Sequence, residues 1–317
     1  MHIAHTIAEL RQHRHVLLNN TDTAPLDSFA SEHTPGCPIL RDSAKGGTQS
    51  SPQSRNTDAT LGLVPTMGAL HEGHRSLLQR ASRECAVTAA TIFVNPLQFA
   101  PTEDLSRYPR TFEADVAMLQ AEGIDLLFAP TPEEMYPDGA VTTIHVNGIE
   151  DRLDGASRPG HFCGVATVVA KLFHIVQPHR AYFGQKDAAQ LAVLRQMTRD
   201  LNFDLDLIAC PTVRDPDGLA LSSRNRYLSA EERTRALTLS RTLQLIYTRI
   251  AEGQRNTATL LDEAHSTLAA EPNITLDYLA IVDPNTLLPI PEATPGTLIA
   301  IAAKVGTTRL IDNLLAP

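Results

Sequence analysis

Two imidazoles three positions apart, His71 and His74, stand in the stretch Leu61-Gly62-Leu63-Val64-Pro65-Thr66-Met67-Gly68-Ala69-Leu70-His71-Glu72-Gly73-His74. Histidines at close spacing suit two chemistries. One is metal binding, but the His-Glu-x-x-His of zinc proteases places its second His one position later than here. The other is anion binding. Leu61 to Val64 is an apolar run of strand character, and Pro65 and Gly68 demand a turn. Leu77, Leu78 and Ala81 then recur at helical spacing, from a start near His74. A strand that turns sharply into a helix aims free backbone N–H groups, and the positive end of the helix dipole, above the sheet. Imidazole donors at such a turn suit phosphate. The blander reading is a pair of surface histidines capping a helix.

Three further stretches carry polar groups at turns. The β-branched run Val87 to Val94 is a strand stopped by Pro96, which puts Asn95 and Gln98 at its carboxyl end, where doubly wound sheets bind ligands. Neutral amides there suit a hydroxyl or carboxylate, although an Asn can equally cap a loop. Ala181-Tyr182-Phe183 runs into Gly184-Gln185-Lys186-Asp187 and a helix carrying Gln190, repeating the layout strand, Gly turn, charge at a helix start. Lys186 is one of only four lysines, so a solvated surface Lys is a weaker reading for it. Asp187 suits an N-cap or Mg²⁺. Beyond Val213, Leu221-Ser222-Ser223-Arg224 groups two hydroxyls with a guanidinium that matches phosphate oxygens in pairs. Residues 153–162, with Arg158 and His161, read as a lid or a connector, and composition favours the connector.

These groups need a scaffold, and composition bounds it. A chain of 317 residues with 43% apolar and 20% charged residues is an ordinary globular protein of two domains. A net charge of −9 argues against a nucleic-acid surface and for a small anion in a local basic pocket. Cys37, Cys85, Cys163 and Cys210 form no Cys-x-x-Cys, so reduced cytoplasmic thiols are expected. No signal-peptide core and no 18-residue apolar run occur, so a soluble protein without a membrane partner is expected.

Residues 3–18 read as a first amphipathic helix through Ile3, Ile7, Leu10 and Leu17. Residues 20–60, rich in Ser, Thr, Pro, Asp and Gln, read as a flexible insert outside the site. Strands at 124–128 and 205–209 and a helix at 165–175 continue a parallel α/β sheet. A helix from Ser229, another over 257–269, and strands at 276–282 and 297–303 complete a smaller α+β unit. The expected division is thus 1–210 and 211–317, the second part closing over the site.

The His-x-Gly-His after a strand resembles the signature of the nucleotidylyltransferase superfamily, with its Rossmann-like core. In order, Pro-Thr-Met-Gly-x-Leu-His-x-Gly-His, Phe-Val-Asn-Pro-x-Gln-Phe, Tyr-Pro-Arg, Arg-Pro-Gly-His-Phe, Gly-x-Lys-Asp, Leu-Ser-Ser-Arg-Asn and Thr-Arg-Leu-Ile-Asp-Asn closely resemble the pantothenate synthetase family over nearly all of the chain except residues 20–60. The resemblance implies ATP-dependent condensation of (R)-pantoate with β-alanine through a pantoyl-adenylate, with AMP and pyrophosphate released. It implies ATP across Met67, Gly68, Ala69, Leu70, His71, Glu72, Gly73 and His74, completed by Gly184, Gln185, Lys186, Asp187, Val213, Leu221, Ser222, Ser223 and Arg224. His71, His74, Lys186, Ser222, Ser223 and Arg224 would be the catalytic set, with His74 as proton donor. Gln98, Gln190, Asn95 and Arg158 would hold pantoate and β-alanine. Mg²⁺ would be held mainly by the ATP phosphates, and the family implies a homodimer. Gln185 stands where the family often has Glu, a departure the intact flanking Gly184 and Lys186 make tolerable.

Overall fold

The computed structural model describes residues 1–21, 60–100, 105–269, 271 and 273–317. The insert expected over 20–60 therefore lies, from 22 to 59, outside the described residues. The chain starts with strand β1 (His2–Ala4) and helix α1 (Ile7–Thr21). Strands and helices then alternate: β2 (Leu61–Thr66), α2 (Glu72–Glu84), β3 (Val87–Ile92), α3 (Phe112–Ala121) and β4 (Leu126–Phe128). Two one-turn helices, α4 (Pro132–Met135) and α5 (Asp154–Ser157), lead to the long α6 (His161–Val176). After it come β5 (Arg180–Gly184), α7 (Ala188–Asp200) and β6 (Asp206–Cys210). These strands form one parallel sheet in the order β1-β4-β3-β2-β5-β6.

Alternation along β2 sends side chains to two cores. Leu61 and Leu63 join the face covered by α6 and α7, while Val64 joins Leu77, Leu78 and Ala81 of α2 and Leu119 of α3 on the other. Each fully buried leucine of that α2 stripe contributes about 1.5–3 kcal/mol, which fixes the helix, and hence His71 and His74, against the sheet. The order of strands reverses at β2, whose successors β3 and β4 lie to one side and β5 and β6 to the other. The crevice at the carboxyl ends of β2 and β5 is the place where open α/β sheets bind ligands.

A second sheet, antiparallel β7 (Ile274–Val282), β8 (Leu298–Val305) and β9 (Thr308–Leu315), packs under α8 (Ala230–Ala251) and α9 (Thr257–Ala269). Ser229 and Glu232 form the capping box expected at the start of α8.

Several boundaries differ from the sequence reading. Ile3 belongs to β1, paired with Leu127, rather than to the first helix, because three residues are too few to show alternation. The strand at Leu61 is consequently the second, and central. It runs through Pro65 to Thr66, since β5 pairs only with Gly62 and Leu63 and no neighbour on that side needs the missing N–H. Residues 154–157 form a helical turn, and the closing Thr308–Leu315 motif is a full strand.

Candidate active site

The turn after β2 is tied down from within. Thr66 Oγ1 donates to the Thr91 carbonyl at 2.6 Å and accepts the Gly68 N–H at 3.2 Å. Gly68 (φ +82°) and Ala69 (φ +51°) are both left-handed, and a Cβ on Gly68 would stand 3.0 Å from Asp115 Oδ2. The buried Asp115 carboxylate accepts the N–H of Ala69 at 2.9 Å, the N–H of Leu70 at 2.8 Å and the Thr111 hydroxyl at 3.1 Å. The N–H groups of Gly68, Ala69 and Leu70 are thus engaged inside the protein, not free above the sheet as the strand–turn–helix pattern suggested.

The imidazoles take over as donors. His71 N-caps α2 at an extended φ of −145°, and the helix starts at Glu72, two residues before the expected start. His71 Nδ1 accepts the Gly73 N–H at 3.1 Å, and His74 Nδ1 accepts the His71 N–H at 3.3 Å. An Nδ1 that accepts forces the proton of a neutral ring onto Nε2. Both Nε2–H groups are therefore available to a ligand, with ring centroids 4.2 Å apart. Burial, aided by His71 and Lys186 nearby, pushes the His74 imidazole from 6.5 down to about 3. Burial and the Lys186 charge lower His71 as well. Near neutral pH the pair acts as two neutral hydrogen-bond donors.

The carboxyl end of β3 builds a second wall. Asn95 is buried and fully engaged: its Oδ1 accepts the Tyr136 hydroxyl at 2.8 Å and the Leu97 N–H at 3.3 Å. Its Nδ2 donates to Gln98 Oε1 at 3.2 Å and to the Gly164 carbonyl at 3.0 Å. Asn95 therefore orients Gln98, whose Nε2 points at Met67 Sδ, 2.8 Å away. Gly164 of α6 lies so close that a Cβ there would stand 2.3 Å from the Leu97 carbonyl oxygen. Arg158 Nη1 lies 2.9 Å from His161 Nε2, and the Gln98 carbonyl accepts from His161 Nδ1 at 2.8 Å.

Opposite, the loop after β5 is held by the last strand. Asn313 Nδ2 donates to the carbonyls of Gln185 (3.0 Å) and Lys186 (2.8 Å). Next to it, Asp312 accepts both Arg214 Nη atoms, at 2.6 and 2.8 Å, in a two-pronged pair. Asp187 occupies the N-cap position of α7 without a side-chain capping bond, so its carboxylate is not explained as a cap. Ser222 caps the short turn Ser223–Tyr227, accepting the Arg224 N–H at 3.3 Å.

These walls enclose a cavity of about 250 Å³ lined by Met67, His71, Gly73, His74, Asn95, Gln98, Gly184, Lys186, Asp187, Gln190, Val213, Leu221, Ser222, Ser223 and Arg224. It adjoins a wider cleft of about 620 Å³ that shares Lys186, Asp187, Gln190, Ser222 and Arg224 and adds Arg158. Of the site residues read from sequence, Gly68, Ala69, Leu70, Glu72 and Gln185 line neither space. The first three serve the turn, Glu72 is exposed, and Gln185 is tied to Asn313.

A sequence profile described as pantoate-beta-alanine ligase matches residues 40–315. The chain belongs to the pantoate-beta-alanine ligase family. It is 59% identical to pantothenate synthetase of Acidobacterium capsulatum, over 81% of this chain and 86% of that protein. To the enzyme of Koribacter versatilis it is 56% identical, over 81% and 88%. The crystal structure of pantothenate synthetase from Thermus thermophilus superposes with a TM-score of 0.82 at 44% identity, each chain covered in full. The pantoate-beta-alanine ligase of Francisella tularensis, solved with a β,γ-ATP ligand and β-alanine, gives 0.72 at 31% identity, over 99% and 97%.

Within this family frame, some contributors had no signal in the sequence. Asp115 is one of two acids on its helix, and only the fold brings it 46 positions back to Ala69. Val165, Val168, Val169 and Leu172 of α6 form an apolar wall of the cavity that reads in the sequence as ordinary core. Thr212 Oγ1 is buried beside the cavity with no hydrogen-bond partner among the described residues.

Proposed function

We propose that this chain condenses (R)-pantoate with β-alanine at the expense of ATP, forming a pantoyl-adenylate and pyrophosphate before the amine attacks. The observation that carries this reading is one cavity holding both kinds of partner. Donors for phosphate come from His71, His74, Lys186, Ser222, Ser223 and Arg224, and neutral amides for the hydroxy acid from Gln98 and Gln190.

In the first step the pantoate carboxylate attacks the α-phosphorus in line, and the bond to pyrophosphate breaks. Such a step needs positioning and stabilisation of leaving charge more than covalent help. The Nε2–H groups of His71 and His74 donate to phosphate oxygens without bringing charge, while Lys186 and Arg224 bring it. Gln98, aimed by Asn95, and Gln190 hold the acid, and Arg158 lies on the wider side, where the second substrate enters. In the second step the β-alanine amine attacks the acyl carbon, and AMP leaves.

No three His, Cys, Asp or Glu side chains cluster as a metal site among the described residues, so Mg²⁺ would ride mainly on the ATP phosphates, with the uncapped Asp187 facing it. It would supply charge neutralisation on the triphosphate. The antiparallel unit at 211–317 would close the cleft through its Ser222–Arg224 turn. Assembly as a homodimer and a cytoplasmic location complete the proposal.

Pyrophosphate exchange tests it. Pantoate alone, with Mg²⁺, should drive labelled pyrophosphate into ATP without β-alanine. Absence of exchange by folded protein would sink the adenylate route.

A further inference from the structure

Outside the ligase cleft, a second set of reactive side chains meets at the start of α6. The Cys163 sulfur, half-buried in the first turn of that helix, lies 3.5 Å from His145 Nε2. His145 Nδ1 lies 2.8 Å from Glu150 Oε1, and Glu150 Oε2 accepts the Val146 N–H at 2.9 Å. With both oxygens engaged, Glu150 takes the His145 Nδ1–H and leaves Nε2 as an acceptor for the thiol proton. The segment is pinned to α6: Thr167 Oγ1 donates to the Cys163 carbonyl at 2.7 Å and accepts the Ile144 N–H at 2.9 Å. Nucleophile, base and orienting carboxylate thus stand in sequence. A 16-residue helix also favours an anion in its first turn.

We propose that Cys163 is a base-assisted thiol that exchanges with small disulfides of the glutathione class. His145 takes the thiol proton, and the Cys163 sulfur attacks one sulfur of the disulfide. The S–S bond breaks, and the departing thiolate takes the proton back from His145, leaving a mixed disulfide on Cys163 and one free small thiol. The His145 ring is 55% exposed, so a small disulfide reaches the pair from solvent. Cys163 lines neither cavity, which separates this chemistry from the ligase reaction.

The test uses the full chain in a Cys37→Ser background, since Cys85 and Cys210 are buried and Cys37 lies outside the described residues. Oxidised glutathione is added, and peptide mapping follows the adduct with time. Cys163 should be modified first, about tenfold faster than in the urea-unfolded chain, as expected of an activated thiol. His145→Gln should remove most of that advantage, and Glu150→Gln part of it, with unchanged circular dichroism. Cys163→Ser should show no adduct and should keep pyrophosphate exchange. If Cys163 reacts no faster folded than unfolded, or equally fast in a folded His145→Gln protein, the proposal fails. The wild-type comparison alone decides should the variants not fold.

Discussion

The carboxylate of Asp115 accepts the backbone N–H of Ala69 at 2.9 Å, joining α3 to the turn that carries His71 and His74. The same carboxylate takes the Leu70 N–H and the Thr111 hydroxyl, so three donors converge on one buried anion. The left-handed conformation at Ala69 persists because this anchor holds it. The shape of the cavity at His71 and His74 is therefore set by a residue that does not line it.

Asp115→Asn tests that anchor. The amide keeps the shape but offers one acceptor where two N–H groups arrive, and its NH₂ faces a donor. A buried N–H left without a partner costs about 1–3 kcal/mol. Stability should fall by about that amount in urea titration. kcat for adenylation should fall at least about tenfold, because positioning of the imidazoles is disturbed. Unchanged kcat with lowered stability would make Asp115 a structural residue only.

Asn313→Asp addresses the opposite wall. Its Nδ2 is the donor to the carbonyls of Gln185 and Lys186, and a carboxylate there would face two acceptors. The Lys186 loop should loosen, raising the ATP KM and lowering kcat by roughly 10–100-fold if misplacement by an ångström has its usual effect. Lys186→Ala should lower kcat comparably with little change in melting temperature if, as proposed, that charge serves the transition state. An Asn313→Asp protein with wild-type ATP kinetics would refute the link between β9 and Lys186.

How much of this was legible before the fold was known follows from what each signal encodes. Motifs announced His71, His74, Gln98, Lys186 and the Ser222–Arg224 turn because Gly, Pro and an apolar run fix a local path. Asp115, and the anchoring role of Asn313 within its motif, escaped because their partners are backbone groups 46 and 127 positions away, and nothing in a helix or strand pattern records those. The strand β1 escaped for lack of length, and Pro65 misled because its tolerance depends on which neighbour pairs there. The Cys163–His145–Glu150 set was invisible too, as its three members follow no motif spacing.

Gly164→Ala probes the packing of α6 on the Gln98 turn. A methyl would meet the Leu97 carbonyl at 2.3 Å, and backbone must move. Forced overpacking costs about 1–3 kcal/mol, and the displaced group is the turn carrying Gln98. The pantoate KM should rise more than the ATP KM. Equal changes in the two, or none, would show that the turn yields without moving Gln98.

The neutral imidazole of His74 carries a pH signature. In the unfolded chain it takes a proton near 6.5, whereas in the folded protein burial and nearby charges hold it at about 3. Between those values the unfolded state binds the extra proton, so stability is fully present above about 6.5 and is lost as pH falls toward 3. His74→Asn keeps a polar group in place but cannot titrate. Its urea-unfolding free energy should therefore fall less steeply than that of the wild type from pH 6.5 downward. The two curves differ by the slope of up to one proton that His74 contributes. Parallel curves would mean that His74 protonates as readily in the folded protein as in the unfolded chain, and that burial does not hold it neutral below pH 6.5.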